Sequence, residues 1–246
     1  MLADPADQQR LLTLAELDSE VGRLQHTARN LPQHARIAEL MRARQAVTDD
    51  LVAATTRAGD LEVSVRRAEA DLMPVRSRLE RESRRVEDGS IADPKVLRGL
   101  TEEVDRIRRR IGELEDAQLE LMGQLEDAAA ERDRLTARKA EVEQQLRADV
   151  AERDAEVGKL SAEAKAISGS RAAEAKKLPA PLLDLYEKLR AHSGLGAAKL
   201  HRGRCTGCQL EATVSDLDGY RKTPANEVLR CVECDRILVR TADSGL

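Results

Sequence analysis

Apolar side chains recur at steps of three and four over most of this chain. Leu14, Leu17, Val21, Leu24 and Ala28 form the first run, which stops at Asn30-Leu31-Pro32. That spacing places them on one face of a helix. A second, longer run fills one seam position with Ile37, Arg44, Leu51, Ala58, Val65, Leu72, Leu79 and Val86. The other position takes Leu40, Val47, Ala54, Leu61, Ala68, Val75 and Glu82. Such an alternation keeps a seam turned toward a partner helix. Pro74 lies inside the run and removes one helical hydrogen bond, so a kink without an end is predicted there.

The segment from Asp88 to Pro94 is the break. Gly89 can close one helix, Asp93 can cap the next, and Pro94 suits its first position. The third run then repeats the seam, with Leu97, Val104 and Ile111 on one position and Leu100, Ile107 and Leu114 on the other, continuing to Leu146. A short connection between two long amphipathic helices predicts an antiparallel hairpin, ~70 Å long at 1.5 Å per residue. Two successive four-residue steps, Val142 to Leu146 to Val150, make a stutter where the first helix is expected to join a three-helix base. Polar seam residues such as Arg44, Glu82, Gln118, Arg132 and Lys139 read as register markers. Ser168-Gly169-Ser170 is expected to interrupt the third helix, and Pro179-Ala180-Pro181 to punctuate it. A short helix from Leu182 to Ala191 follows, then Ser193, Gly194 and Gly196. The expected organisation is a helical hairpin over 1–178 with its turn near 88–94, a linker helix and hinge over 179–198, and a separate module over 199–246.

Composition supports long helices over compact globular domains. Aromatic residues are 1% of the 246 and charged residues 35%. At 41%, the hydrophobic fraction is too high for a disordered chain. The net charge of −4 gives no global attraction to nucleic acid. No apolar run approaches the ~20 residues that span a bilayer, and a soluble cytoplasmic protein is the expectation.

All four cysteines fall near the C-terminal end, as Cys205-Thr-Gly-Cys208 and Cys231-Val-Glu-Cys234. Two Cys-x-x-Cys turns can aim four thiolates at one tetrahedral ion, which suits one structural Zn2+ held by Cys205, Cys208, Cys231 and Cys234. Short strands are expected at 209–214, 228–230 and 236–240, making a small β zinc ribbon. So small a module buries little apolar surface, and metal binding can supply ~10 kcal/mol or more of folding free energy. The alternatives are a redox dithiol, a pair of disulfides, or an iron site. The first lacks a βαβ context, and the second needs an oxidising compartment. Asp235 follows the last cysteine, where a residue tolerant of positive φ is useful.

Charge is unevenly placed. From 111 to 131 there are seven acidic residues and no Lys or Arg. Toward the turn the balance reverses, and Arg106, Arg108, Arg109 and Arg110 head an arginine-rich stretch. Beside the cysteines lie Lys199, Arg202, Arg204 and Arg236. These eight are the candidate nucleic-acid or partner-binding residues. Tyr220 is the one aromatic available to stack on a base from the cysteine module. No Ser/His/Asp set or phosphate-binding loop is present, so no enzyme is expected.

Three stretches carry a resemblance to a known family. They are Asp93-Pro94-Lys95-Val-Leu-Arg-Gly-Leu100-Thr-Glu-Glu103-Val, then Leu185-Tyr186-Glu187-Lys-Leu-Arg190, and the two cysteine turns with Asp235-Arg236-Ile-Leu238. The chain resembles bacterial proteins with a long coiled-coil hairpin and a C-terminal four-cysteine zinc ribbon. That resemblance implies a non-enzymatic adaptor, described as nucleic-acid-binding or regulatory, with RNA or DNA as ligand. The coil is then available to a protein partner such as a transcription or secretion component. A protein–protein scaffold without nucleic-acid contact is the alternative. The hairpin can satisfy its own seam, so a monomer is expected.

Overall fold

The computed structural model describes residues 1–246. Four helices come first: α1 Pro5–Arg29, α2 Pro32–Glu87, α3 Pro94–Ala175 and α4 Ala180–Ser193. Then follow β1 Ala197–His201, β2 Arg204–Cys205, α5 Val214–Lys222, β3 Leu229–Arg230 and β4 Ile237–Val239. The fold is mainly α, long helices forming a coiled-coil hairpin plus a small C-terminal sheet, as the seam pattern predicts. By its contacts the chain divides into one unit of 1–34 with 151–246 and another of 35–150.

The 35–150 unit is the hairpin of α2 and α3. Its buried side chains are the predicted seam: Ile37, Ala58 and Leu72 from α2, and Val104, Ile107, Ile111, Ala128, Leu135 and Val142 from α3. Helix α2 runs through Pro74 without ending. Gly89 takes φ 66°, which an L side chain resists, and so turns the chain out of α2. Asp93 then caps α3, its carboxylate accepting from the Lys95 amide at 2.8 Å. Ion pairs join the helices: Arg36 to Asp149 at 3.3 Å, and Arg76 to Glu115 and Arg78 to Glu103, each at 2.6 Å.

The other unit holds α1, the end of α3, α4 and the sheet. Ser168-Gly169-Ser170 does not break α3, contrary to expectation, and the helix continues to Ala175. The Ser168 hydroxyl turns back to the Ala164 carbonyl at 2.8 Å, satisfying itself without leaving the helix. The buried face of α1 is Leu11, Leu14, Ala15, Asp18 and Leu24, with the expected Leu17 and Val21 only half-buried. Leu11, Leu14 and Ala15 pack with Ala175, Leu178, Leu182, Tyr186, Ala197, Val228, Ile237 and Val239, so helices and sheet share one core. Residues 179–198, expected as linker and hinge, comprise α4 and the entry to β1. A Cβ on Gly196 would sit 2.3 Å from the Tyr186 carbonyl oxygen, a contact only glycine permits.

Asp18 is the polar centre of that core. Its carboxylate accepts from the Tyr186 hydroxyl at 2.7 Å, from Arg171 Nε at 3.0 Å and from Arg190 Nε at 3.0 Å. Glu187 pairs with both arginines. Burial lowers the Arg171 pKa, but hydrogen bonds to Asp18 and Glu187 outweigh it and the net shift is upward. Burial and then the Asp18 hydrogen bond raise the Tyr186 pKa. Three side chains from α3 and α4 thus converge on one carboxylate from α1.

The sheet has the order β2-β1-β4-β3, with β1 and β4 parallel and both outer pairs antiparallel. Two elements differ from expectation. Residues 209–214 form no strand: they meet β2 through the Glu211–Arg204 bridge and backbone bonds of Gln209 and Leu210 to Cys205, and the strand that pairs with β4 is β1. The loop between the cysteine pairs contains α5, opened by a capping box between Thr213 and Asp216.

Replacing Asp18 by Ala leaves two arginines facing an empty buried site. The expected loss is about 3–5 kcal/mol in urea unfolding. Tyr186→Phe removes one bond to the carboxylate and is expected to cost about 1.5–3 kcal/mol.

Candidate metal centre

The two cysteine turns are built alike. In the first, the Cys205 amide donates to the Leu210 carbonyl at 3.0 Å and the Gln209 amide to the Cys205 carbonyl at 2.9 Å. In the second, Cys231 donates to Arg236 and Asp235 to Cys231, both at 2.9 Å. The residue after each second cysteine is left-handed, with Gln209 at φ 64° and Asp235 at φ 57°. Asp235 was expected there. Gln209 was not foreseen, although its position equals that of Asp235 in the other turn. Pairing of β1 with β4 sets the two turns side by side. Gly207 sits where a Cβ would lie 2.9 Å from both Ala198 Cβ and Arg236 Cδ, so the first turn packs directly on the strand pair.

All four sulfurs lie within 4.8 Å of one another. Cys205 to Cys234 and Cys208 to Cys231 are each 3.9 Å apart between Sγ atoms. Thiolates ~2.3 Å from a shared tetrahedral ion stand ~3.8 Å apart, so this cluster has the dimensions to hold a metal ion. Cys205 and Cys231 are buried, and Cys208 and Cys234 partly so. Burial pushes the Cys231 thiol up to about 12 and also raises Cys205. At Cys234 burial acts the same way but is outweighed by hydrogen bonds from Arg236, Cys231 and Cys208, which bring it down to about 7. Around the sulfurs, Ala198, Leu200, Tyr220, Leu229 and Leu238 form a small apolar core.

The cations predicted beside the cysteines are mostly engaged. Arg236 donates to the Leu195 carbonyl at 3.1 Å and the Ser193 carbonyl at 2.9 Å, which fixes the end of α4 to the second turn. Lys199 pairs with Asp243 at 3.2 Å and Arg204 with Glu211 at 2.6 Å. Arg202 is exposed and in no ion pair. Arg240 donates to the backbone carbonyls of Tyr220, Thr223, Pro224, Ala225 and Glu227, closing the loop after α5. Its partners lie 13 to 20 residues away, so nothing local in the sequence marks this role. Tyr220, the expected stacking platform, is 8% exposed with its hydroxyl on the Arg230 carbonyl at 3.2 Å, so it presents no face to a base.

The second predicted group lies on α3, in the hairpin unit. Arg106 pairs with Glu103, Arg108 with Asp105 at 3.5 Å and Arg110 with Glu113 at 3.0 Å. Arg109 is exposed and in no ion pair. The structure thus brings the four cysteines together and leaves the eight basic residues as two separate sets.

The chain is a coiled-coil hairpin protein with a four-cysteine terminal module, and its relatives share the hairpin fold. Residues 14–194 match the CT398-like coiled coil hairpin domain, and the chain belongs to that family. It is 34% identical over 240 residues to an uncharacterised protein of Mycobacterium tuberculosis, covering 98% of both chains. A Mycobacterium leprae protein is 27% identical over 224 residues, covering 91% of this chain and 96% of that one. Among solved structures, a Mycobacterium smegmatis protein superposes with a TM-score of 0.86 at 31% identity, over 98% of this chain and all of the other. CT398 from Chlamydia trachomatis gives 0.70 at 16% identity, over 96% and 98%, and shows the same fold.

Cys208→Ser removes one of the four candidate ligands. Metal analysis of the purified chain is expected to fall from one ion per chain to well below one. Gly207→Ala keeps every ligand yet drives a methyl into Ala198 and Arg236, and is expected to destabilise the module by about 1–3 kcal/mol.

Proposed function

We propose that this chain is a non-catalytic adaptor: one structural zinc ion folds the four-cysteine module, and the hairpin carries a surface for a protein partner. Four thiolates close a tetrahedral ion on all sides and leave no position for substrate, so the ion serves as a cross-link. The observation that carries the protein-docking reading is the fate of the predicted nucleic-acid contacts. Arg236 is spent on backbone carbonyls, Lys199 and Arg204 are paired, and Tyr220 is buried. On α3, by contrast, Leu119 and Met122 are 64% and 41% exposed among Asp116, Glu120 and Glu126. An apolar strip bordered by acids suits a basic amphipathic helix.

Nucleic-acid binding is the second reading. Lys95, Arg98 and Arg109, exposed on one side of α3 and in no ion pair, favour it. Fluorescence anisotropy of the zinc-loaded chain with single-stranded RNA and duplex DNA, across a salt series, separates the two. The adaptor reading expects binding no tighter than the non-specific range of about 10 µM. A much higher affinity that falls steeply with salt, and is lost when Lys95, Arg98 and Arg109 are reversed to Glu, would replace it with the second reading.

A further inference from the structure

The outward face of α2 lacks the charge that covers the rest of the hairpin. Met41, Val52 and Val63 follow one another at intervals of eleven residues and are 52%, 62% and 56% exposed. Met73, 60% exposed, continues the line. Eleven residues are close to three helical turns, so these side chains share one stripe. Between them the stripe carries Gln45, Thr55, Gly59 and Ala70, all exposed. Arg66 is the one charge within it, and it is paired with Glu62 at 4.0 Å. In a chain that is 35% charged, a stripe from 41 to 73 with one paired charge, about 48 Å at 1.5 Å per residue, is an unpartnered helix face.

The charges flanking the stripe identify what covers it. Arg42, Asp49, Asp60, Arg67 and Asp71 border one side, and Arg44, Glu62 and Glu69 the other. All eight are exposed, and of them only Glu62 forms an ion pair within the chain, with Arg66. Two antiparallel helices set like flanks against each other. With a two-fold axis near residue 57, Met41 meets Met73 of a second copy and Val52 meets Val63. In that same register Arg42 meets Asp71, Asp49 meets Arg67 and Arg44 meets Glu69. Every facing charge is opposite, and the symmetry makes each pair twice. A parallel in-register pair brings opposite flanks together instead. It would set Arg42 against Arg44, Asp60 against Glu62 and Glu69 against Asp71, three repulsions against the single attraction of Arg67 to Glu69.

We infer that the outward face of α2 is a homodimer interface, in which two copies pair antiparallel about residue 57 through Met41, Val52, Val63 and Met73. The apolar seam residues turn toward α3 and take no part; of the seam positions only Arg44, exposed at the seam's edge, contributes a flanking charge. The pairing therefore coexists with the intramolecular hairpin and replaces the monomer expected from the seam alone. It rests on neither the metal site nor the adaptor reading.

Sedimentation equilibrium of the zinc-loaded full chain tests this. The expected mass is that of two chains, falling toward one on dilution and in high salt. Arg42→Asp with Arg44→Glu turns four attractions into repulsions and is expected to weaken the dimer by about tenfold or more. Adding Asp71→Arg and Glu69→Arg to the same chain restores opposite charges at each position and is expected to recover the dimer. The substituted positions are all exposed, and circular dichroism checks that each variant is folded. Mixing Val52→Cys and Val63→Cys chains under mild oxidation should yield a 52–63 cross-linked peptide by mass spectrometry. A single-chain mass up to millimolar protein, a charge swap that fails to restore, or a 52–52 link in its place would each overturn the proposal. The first of these would leave the stripe to a foreign helix.

Discussion

A carboxylate with almost no water around it holds the non-hairpin unit together. Asp18 is 7% exposed, and it is satisfied only because α1, α3 and α4 arrive in one arrangement that brings Tyr186, Arg171 and Arg190 within hydrogen-bond reach. A buried charge is costly unless every partner is present, so the contact is all or nothing. Leu11, Leu14 and Tyr186 pack around it against Ile237 and Val239 of the sheet. Helix packing in this unit and the placement of the strands that carry the cysteines are therefore parts of one problem.

The hairpin and the thiolate cluster solve different problems in different ways. A long helix pair needs only its periodic seam, and the seam tolerates polar side chains at its edge because each step repeats the same packing. The terminal module has a small core and depends on backbone geometry instead. Two turns with the same hydrogen bonds, each followed by a left-handed residue, hold the sulfurs at the spacing that a tetrahedral ion requires. Arg236 and Arg240 contribute their positive charge to carbonyl groups, which makes them part of the scaffold.

The sequence was most informative where periodicity spoke. Helix limits at Asn30, Glu87 and Pro94, continuation through Pro74, and the seam from Ala58 to Val142 all follow from it. The cysteine cluster was legible for a different reason, since thiolate pairs at that spacing have few other uses. What escaped was non-local. Strand β1 looks like linker sequence, Ala197-Ala198-Lys199-Leu200-His201, and is a strand only because β4 lies beside it. Helix α5 was hidden because it is only 9 residues long, with Val214, Leu217 and Tyr220 too few to establish a repeat. Asp18 sits four residues from Leu14 on an apolar face, and that misplaced acid was a sign of the buried network. The roles of Arg236 and Tyr220 could not be read, because charge and aromaticity at the sequence level do not say which way a side chain faces.

The shared core also bears on how this protein can be taken apart. A cut at residue 198 looks natural, since it falls between the last long helix and the first cysteine. Yet it would remove Ile237, Val239 and Val228 from Leu11, Leu14, Leu182 and Tyr186, and strip Arg236 from the carbonyls of Ser193 and Leu195. Both fragments would be left with raw apolar faces. The separable piece is instead the stretch of α2 and α3 between residues 35 and 150. There whole seam repeats can be removed in matched pairs from both helices, so the hairpin is a modular length and the two ends of the chain are a single folding unit.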